Sequence, residues 1–287
     1  MRITTLSDHA ADQLQEREAQ RELNYRTEMG AYEATLRARQ ERIEGRKARM
    51  DEAWKGRRYI RAAGCALAIA WHHMRKRMER FGRPAKELPG VQDHIWLQGQ
   101  EGENGLAEFL AQWLTDEWTL VKGYRNRRGE IDEVLVGPGG VCAIEVKNLK
   151  GTVSCDGDEW VRDKRDSWGN FVRAKEPIAD KGGRGPSRQV NESADLLEAF
   201  LKKTIPTCRI RRYVVFTSAD ADFGELQNLT VHGVYLMRNW DPEEMLREGT
   251  AALTAREAGL IVAQIAHDHR YHEERRRRPT PGSAPKP

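Results

Sequence analysis

Two acids and an amine, Asp132, Glu145 and Lys147, are the residues of this chain whose types and spacing are best suited to chemistry. On a β-hairpin with Val136 opposite Val141, Asp132 lies directly opposite Glu145, and Lys147 follows on the same face. Directly opposed Cβ atoms lie ~5 Å apart, where two carboxylates repel by roughly 3 kcal/mol at an effective dielectric of about 20. Such a pair needs a shared proton, a neighbouring cation or a bound metal ion. Lys147 supplies one positive charge, and a divalent metal ion would supply the rest.

The hairpin itself is predicted by two β-branched, apolar runs, residues 130–136 and 141–147. They flank residues 137–140, Gly-Pro-Gly-Gly, a strong turn signal. Apart from Glu133, the rest of both faces is apolar, which is typical of strands covered on both sides. We therefore expect the charged trio at a cleft in a layered α/β domain.

The sequence around the trio resembles the nuclease-related domain (NERD), a family of the PD-(D/E)xK nuclease superfamily. The resemblance covers about residues 96–220. The E-x-K triplet alone would be weak evidence, but a longer block is present at the family's spacing. The matching residues are Gly129-Glu130-Ile131-Asp132, Gly140-Val141, Ile144-Glu145-Val146-Lys147-Asn148 and Gly151.

This resemblance implies a fold and a reaction. The fold is a three-layer α/β/α restriction-endonuclease-like core with a mixed central sheet, and the reaction is hydrolysis of phosphodiester bonds with Mg²⁺, for which Mn²⁺ can substitute. Asp132 and Glu145 would hold the ion, with the main-chain carbonyl of Val146 as a further ligand. Lys147 would orient the attacking water, stabilise developing charge or, with a lowered pKa, accept a proton. A purely structural Asp–Lys–Glu cluster is the alternative.

Glu103 is the candidate for a third metal carboxylate. It falls on the apolar stripe of a helix predicted over residues 99–114, where an unpartnered carboxylate is costly. The family also has a G-E pair at the start of this helix, matched by Gly102 and Glu103. The alternative role is a charge that favours the helix N-terminus, and Glu101 and Glu108 are the other candidates.

A Gly-rich basic segment, residues 180–188, is predicted as a loop in front of a helix. Three of its residues are candidates for binding nucleic-acid phosphates: Lys181, Arg184 and Arg188. Gln189 matches a P-x-x-Q motif of the family and is a candidate for positioning a phosphate or the attacking water. An ordinary exposed loop and a surface amide are the alternatives.

The first 80 residues lie outside the resemblance and are predicted to form a charged helical extension. Residues 8–57 have the composition of one long polar helix. Apolar residues recur there every seven positions, at Met29, Leu36, Ile43 and Met50. The repeat favours a coiled coil that binds a second copy or a partner protein, but arginines interrupt it. A solvated arm is the other interpretation.

Residues 62–73 contain no charged side chain, yet basic residues flank them on both sides. A bilayer-spanning helix needs roughly 20 apolar residues, so this stretch is too short to cross a membrane. We expect a small buried helix. A basic helix resting on DNA or on anionic lipid is the alternative.

Changes in composition and the positions of Gly and Pro residues suggest how the chain is divided. The predicted regions are residues 1–80, the helical extension; 81–95, a linker; 96–240, the nuclease core; 241–274, C-terminal helices; and 275–287, a basic disordered tail. The four cysteines form no metal-binding or disulfide pattern, and the N-terminus has no signal-peptide pattern, which indicates a cytoplasmic protein.

The sequence therefore predicts a metal-dependent nuclease that acts on DNA, with RNA left open. Its role would be defence against foreign DNA or DNA processing. The alternative is a nucleic-acid-binding or scaffold protein that has a vestigial nuclease site and acts through its N-terminal helix.

Overall fold

A computed structural model describes residues 1–165, 171–243 and 252–277 of the chain. The strands are β1 (Arg2–Thr5), β2 (Thr119–Arg125), β3 (Glu130–Gly137), β4 (Gly140–Lys147), β5 (Gly151–Asp156), β6 (Glu159–Arg165), β7 (Phe171–Pro177), β8 (Ile210–Phe216), β9 (Ala221–Gln227) and β10 (Gly233–Leu236). The longer helices are α1 (His9–Lys55), α2 (Tyr59–Glu79), α3 (Val91–Trp113), α4 (Pro186–Leu201) and α5 (Ala255–Arg277).

The chain forms two compact units. One comprises residues 1–12 together with the chain from residue 94 onward, and the other comprises residues 13–93. Of the predicted basic tail, residues 275–277 are the helical end of α5, not disordered chain, and residues 278–287 lie outside the described residues, as do residues 244–251 of the predicted C-terminal helices.

A six-stranded mixed sheet, in the order β1-β2-β3-β4-β8-β10, is the centre of the first unit. Strands β2, β3 and β4 are antiparallel neighbours, whereas β4, β8 and β10 run parallel. Helix α3 packs on one face through Leu106 and Leu110. Helices α4 and α5 cover the other face through residues such as Val190 and Ile261. The expected three-layer α/β/α architecture with a mixed central sheet is confirmed.

Helix α3 begins at Val91, earlier than the predicted start at Gly99. The Asp93 side chain accepts a hydrogen bond of 2.7 Å from the backbone N–H of Gly90, which stabilises the first turn. Residues 91–95, predicted as the end of a linker, are therefore helical.

A second sheet, in the order β7-β6-β5-β9, was not predicted. The turn around Gly157 joins β5 and β6, and β5 leaves the central sheet. Gly151 makes this departure possible. Its φ is +107°, and a Cβ there would lie 2.4 Å from the carbonyl oxygen of Asp163.

The second unit contains α2 and most of α1, and α2 packs beside part of the seven-residue apolar series of α1. Ile43 of that series is fully buried. Arg39, one of the arginines that interrupt the series, forms an ion pair with Glu79, and Lys76 donates a hydrogen bond of 2.7 Å to Gln40. The stripe thus has a partner within the chain, an arrangement that neither sequence interpretation included.

The expectation of a small buried helix over residues 62–73 was wrong. Helix α2 runs over the longer range Tyr59–Glu79, and Ala62 is its one fully buried residue. The reason is that α1 covers a single side of α2. Within the described part of the chain, no helix is both long enough and apolar enough to span a membrane.

Candidate active site

The β3–β4 hairpin has the predicted register. Val136 pairs with Val141, and the ladder continues to Glu133 opposite Ile144. Asp132 lies one residue beyond that last pair. Its Oδ2 accepts a hydrogen bond of 2.7 Å from the backbone N–H of Val146. This bond fixes the Asp132 carboxyl group against β4, next to the position of Glu145.

Lys147 connects the acidic residues to α4. Its Nζ lies 2.5 Å from Oε1 of Glu145 and 3.4 Å from Oε1 of Gln189. The Gln189 amide is fixed in turn, because its Nε2 donates a hydrogen bond of 2.7 Å to the carbonyl oxygen of Arg184. The structure therefore brings together the four predicted catalytic residues, from two strands and one helix.

Burial decides the protonation of the two acids. Desolvation raises the pKa of Asp132 to about 7, against the opposing effects of Lys147 and the Val146 N–H. Desolvation, followed by the charge of Asp132, raises the pKa of Glu145 to about 8, although Lys147 opposes both. The site holds more negative charge than the single lysine balances, so the apo form retains protons near neutral pH.

The same charges keep Lys147 protonated. Burial alone would lower its pKa, but the charges of Glu145 and Asp132 outweigh burial and raise it. A lysine in this state is suited to stabilising negative charge. The alternative role, acceptance of a proton through a lowered pKa, finds no support in these surroundings.

Glu103 approaches the pair from α3. Burial is the main cause that raises its pKa to about 7. Lys122 opposes this rise, and the charges of Glu130, Asp8 and, least of all, Glu145 add to it. Gly102 permits the close approach, because a Cβ there would lie 2.8 Å from both Asn148 and Thr217. The other candidates, Glu101 and Glu108, are exposed on the helix.

The donor chemistry of the site suits a hard cation. Carboxylate oxygens are the ligands that Mg²⁺ prefers, and this ion commonly uses one or two of them while keeping several waters. Asp132 and Glu145 provide such a pair. Within residues 1–165, 171–243 and 252–277, no three or more His, Cys, Asp or Glu side chains are gathered in a ready metal site. Metal binding by Asp132 and Glu145, like ligation by Glu103 and by the carbonyl of Val146, therefore stays a prediction.

Ion pairs and hydrogen bonds hold the basic loop to neighbouring parts of the chain. Arg184 forms an ion pair of 2.7 Å with Asp180 and donates a hydrogen bond of 2.6 Å to the carbonyl oxygen of Arg128. Arg188 pairs with Glu192 at 2.8 Å, and Lys181 is exposed. Arg184 thus holds the loop that anchors Gln189, and phosphate binding by the three basic residues stays a prediction.

Sequence reasoning did not select two further polar groups near the site. Glu133 is fully buried, both its carboxylate oxygens lack a hydrogen-bond partner, and burial raises its pKa well above the usual value. The signal was its position as the single charged residue on its face of the hairpin. Thr217, which follows β8, has a buried hydroxyl without a hydrogen-bond partner beside Gly102.

Residues 98–217 match the family model of the nuclease-related domain, NERD. This chain carries a NERD domain. The matched range includes every candidate site residue and agrees closely with the predicted extent of the resemblance. A nuclease-related function follows from this assignment. No curated protein and no solved structure matches the chain.

Proposed function

We propose that the NERD domain is a metal-dependent nuclease that hydrolyses phosphodiester bonds in DNA. The observation that supports this most strongly is the pair of acids, half-buried Asp132 and buried Glu145, joined to a protonated Lys147. A fold that buries two mutually repelling carboxyl groups beside one cation loses stability. Perturbed acids of this kind are concentrated at functional sites.

Each residue of the site has a role in this proposal. Asp132 and Glu145 hold a Mg²⁺ or Mn²⁺ ion, with Glu103 and the carbonyl of Val146 as further ligands. When bound, the ion lowers the pKa of a water and neutralises charge on the scissile phosphate. Lys147 stabilises the negative charge that develops on the phosphate oxygens. Gln189 orients the lysine and the attacking water.

Binding of the substrate backbone is assigned to the loop before α4 and to the first turn of that helix, which contains Arg188. Lys181 and Arg188 are exposed and can reach phosphates, whereas Arg184 supports them from within the loop. Cys65, Cys142, Cys155 and Cys208 are free thiols, which is consistent with a cytoplasmic protein. Defence against foreign DNA and DNA processing are both compatible with this chemistry.

The test is cleavage of plasmid and linear duplex DNA by the full chain, with Mg²⁺ and with EDTA. Mg²⁺-dependent cleavage is expected, and Lys147→Ala should slow it about 100-fold or more. The matched control is Lys150→Ala. Lys150 is exposed and pairs with Asp220, so its loss should leave the rate unchanged.

Cleavage that persists in EDTA, or that Lys147→Ala does not slow, would contradict the proposal. Firm DNA binding without cleavage, across several metals and substrates, would favour the alternative of a vestigial site in a nucleic-acid-binding or scaffold protein.

A further inference from the structure

The outward side of α2 carries large apolar side chains that no other part of the described chain covers. They recur at alternating spacings of three, four and seven residues, which places them along one side of the helix. Ile60, Leu67 and Phe81 are 93%, 75% and 88% exposed. The whole set, here called the α2 apolar face, is Ile60, Leu67, Trp71, Met74, Met78 and Phe81, the last in the 3-10 turn that follows α2.

This face is distinct from the side of α2 that packs on α1. The packing side includes Ala62, Lys76 and Glu79, which are buried or half-buried. At the boundary between the two sides, a groove of about 650 Å³ is lined by Tyr32 and Leu36 of α1 and by Trp71 and Met74 of α2. A continuous exposed apolar surface of this kind marks an interaction site on a protein.

The charges around the face specify the occupant. Glu79 is the one acid between residues 57 and 83, and it is paired with Arg39. The exposed basic residues of this segment are Arg57, Arg58, Arg61, Arg75, Arg77, Arg80 and Arg83. The occupant must therefore be anionic.

Two of the possible occupants match only part of this surface. A second copy of the chain would place the same arginines opposite each other, which costs energy at a coiled-coil seam. A nucleic-acid backbone would match the charge but would leave Ile60, Leu67 and Phe81 in contact with water. A bilayer surface that contains anionic phospholipid matches both the charge and the apolar side chains.

We propose that α2 is a membrane-surface helix that docks the protein on anionic phospholipid. The α2 apolar face inserts at the boundary between headgroups and acyl chains, and the arginines contact the headgroups. Trp54 and Tyr59, near the junction of α1 and α2, are exposed and have ring centroids 5.5 Å apart. Aromatic rings with a polar edge favour this depth of a bilayer.

The test is flotation of the full chain with phosphatidylcholine vesicles, with and without phosphatidylglycerol. We expect the protein to float with the vesicles that contain phosphatidylglycerol and not with vesicles of phosphatidylcholine only. The double substitution Leu67→Glu and Met74→Glu should reduce the bound fraction at least about 10-fold, because two apolar side chains no longer insert. The matched control is Leu23→Glu, an exposed leucine on α1, which should float like the wild type. Circular dichroism should show the same helix content in all variants.

Failure to float with anionic vesicles, or equal flotation of the double variant and the wild type, would overturn the proposal. Two other outcomes would also overturn it. If the double substitution abolishes DNA binding while vesicle binding is absent, the face binds nucleic acid. If it abolishes a dimer while vesicle binding is absent, the face binds a second copy. DNA cleavage is measured separately and does not enter this test.

Discussion

At the scale of single residues, the site is a balance between burial and charge. Asp132 and Glu145 are held within a sheet, where desolvation penalises their ionised forms. Lys147 compensates for part of this, because its ammonium group lies 2.5 Å from Glu145. In the apo protein, bound protons neutralise the remaining negative charge of the two acids. In our proposal, a metal ion neutralises it during function.

This balance predicts that the stability of the apo protein depends on pH. The folded-state pKa values of Asp132 and Glu145, about 7 and about 8, lie above the unfolded values of about 4. The folded protein therefore binds more protons between these limits, so its free energy of unfolding falls as pH rises from about 5 to about 8. Each group contributes at most about 1.4 kcal/mol per pH unit.

The measurement is urea unfolding in EDTA at several pH values. Glu145→Gln is the matched control, because it removes one titrating group and the repulsion on Asp132, and it should flatten the dependence. The interpretation would be contradicted if the urea concentration at the unfolding midpoint rose between pH 5 and pH 8. It would also be contradicted if Glu145→Gln left the pH dependence of that midpoint unchanged.

At the scale of elements, the approach of α3 to the ends of β4 and β8 decides whether Glu103 reaches the site. Gly102 lies at the point of closest approach, beside Asn148 and Thr217. Gly105, on the same helix, has open space where a Cβ would be added. The two glycines therefore provide a matched pair.

We expect Gly102→Ala to destabilise the protein by about 1–3 kcal/mol, because the added Cβ forces the helix away from the strands. The rate of DNA cleavage should fall, because Glu103 moves away from Asp132 and Glu145 together with the helix. Gly105→Ala should stabilise the helix by up to about 1 kcal/mol and leave cleavage unchanged. Thermal unfolding and cleavage rates measure both effects, and equal behaviour of the two variants would show that close approach at Gly102 is unimportant.

The hairpin and its register could be predicted because the strands are strongly apolar and the turn is short, so that Val136 had to face Val141. Strand β1 could not be predicted, because residues 2–5 show no apolar alternation and gain their structure from pairing with β2. The position of β5 in a second sheet could not be predicted either, because a local sequence pattern does not specify the partner strand.

The site residues, too, could be predicted only where a local pattern or the family resemblance identified them. Asp132, Glu145 and Lys147 were found from alternation along two adjacent strands, whereas Glu103 and Gln189 needed the family resemblance. The ion pairs of Arg184 and the orphaned carboxylate of Glu133 depend on residues distant in sequence. The heptad series in α1 was recognised, but sequence alone did not show that α2 of the same chain packs beside part of it.

At the scale of the whole molecule, the NERD-containing unit is discontinuous in sequence. Residues 1–12 supply its edge strand β1, and the helical unit of residues 13–93 is inserted before the rest. Within the first unit, the side chain of Gln100 donates a hydrogen bond of 3.1 Å to Asp8. The two ends of the insertion are therefore close enough for a short linker.

We predict that replacing residues 13–93 with a Gly/Ser linker of about 10 residues, which spans about 17 Å, keeps the fold and the cleavage activity. A fragment that begins at residue 94 lacks β1 and exposes the edge of β2, so it should melt at a lower temperature and aggregate. Thermal melting and size-exclusion chromatography compare the two. Equal stability would mean that β1 contributes nothing to the sheet.

The most direct measurement is a crystal of the full chain soaked in Mn²⁺ and examined by anomalous diffraction. We expect a peak between Asp132 and Glu145, with a carboxylate oxygen of each at about 2.1–2.2 Å from the ion, and no such peak in Asp132→Asn crystals. An absent peak in the wild type, or the two carboxyl groups on opposite sides of the sheet, would contradict it.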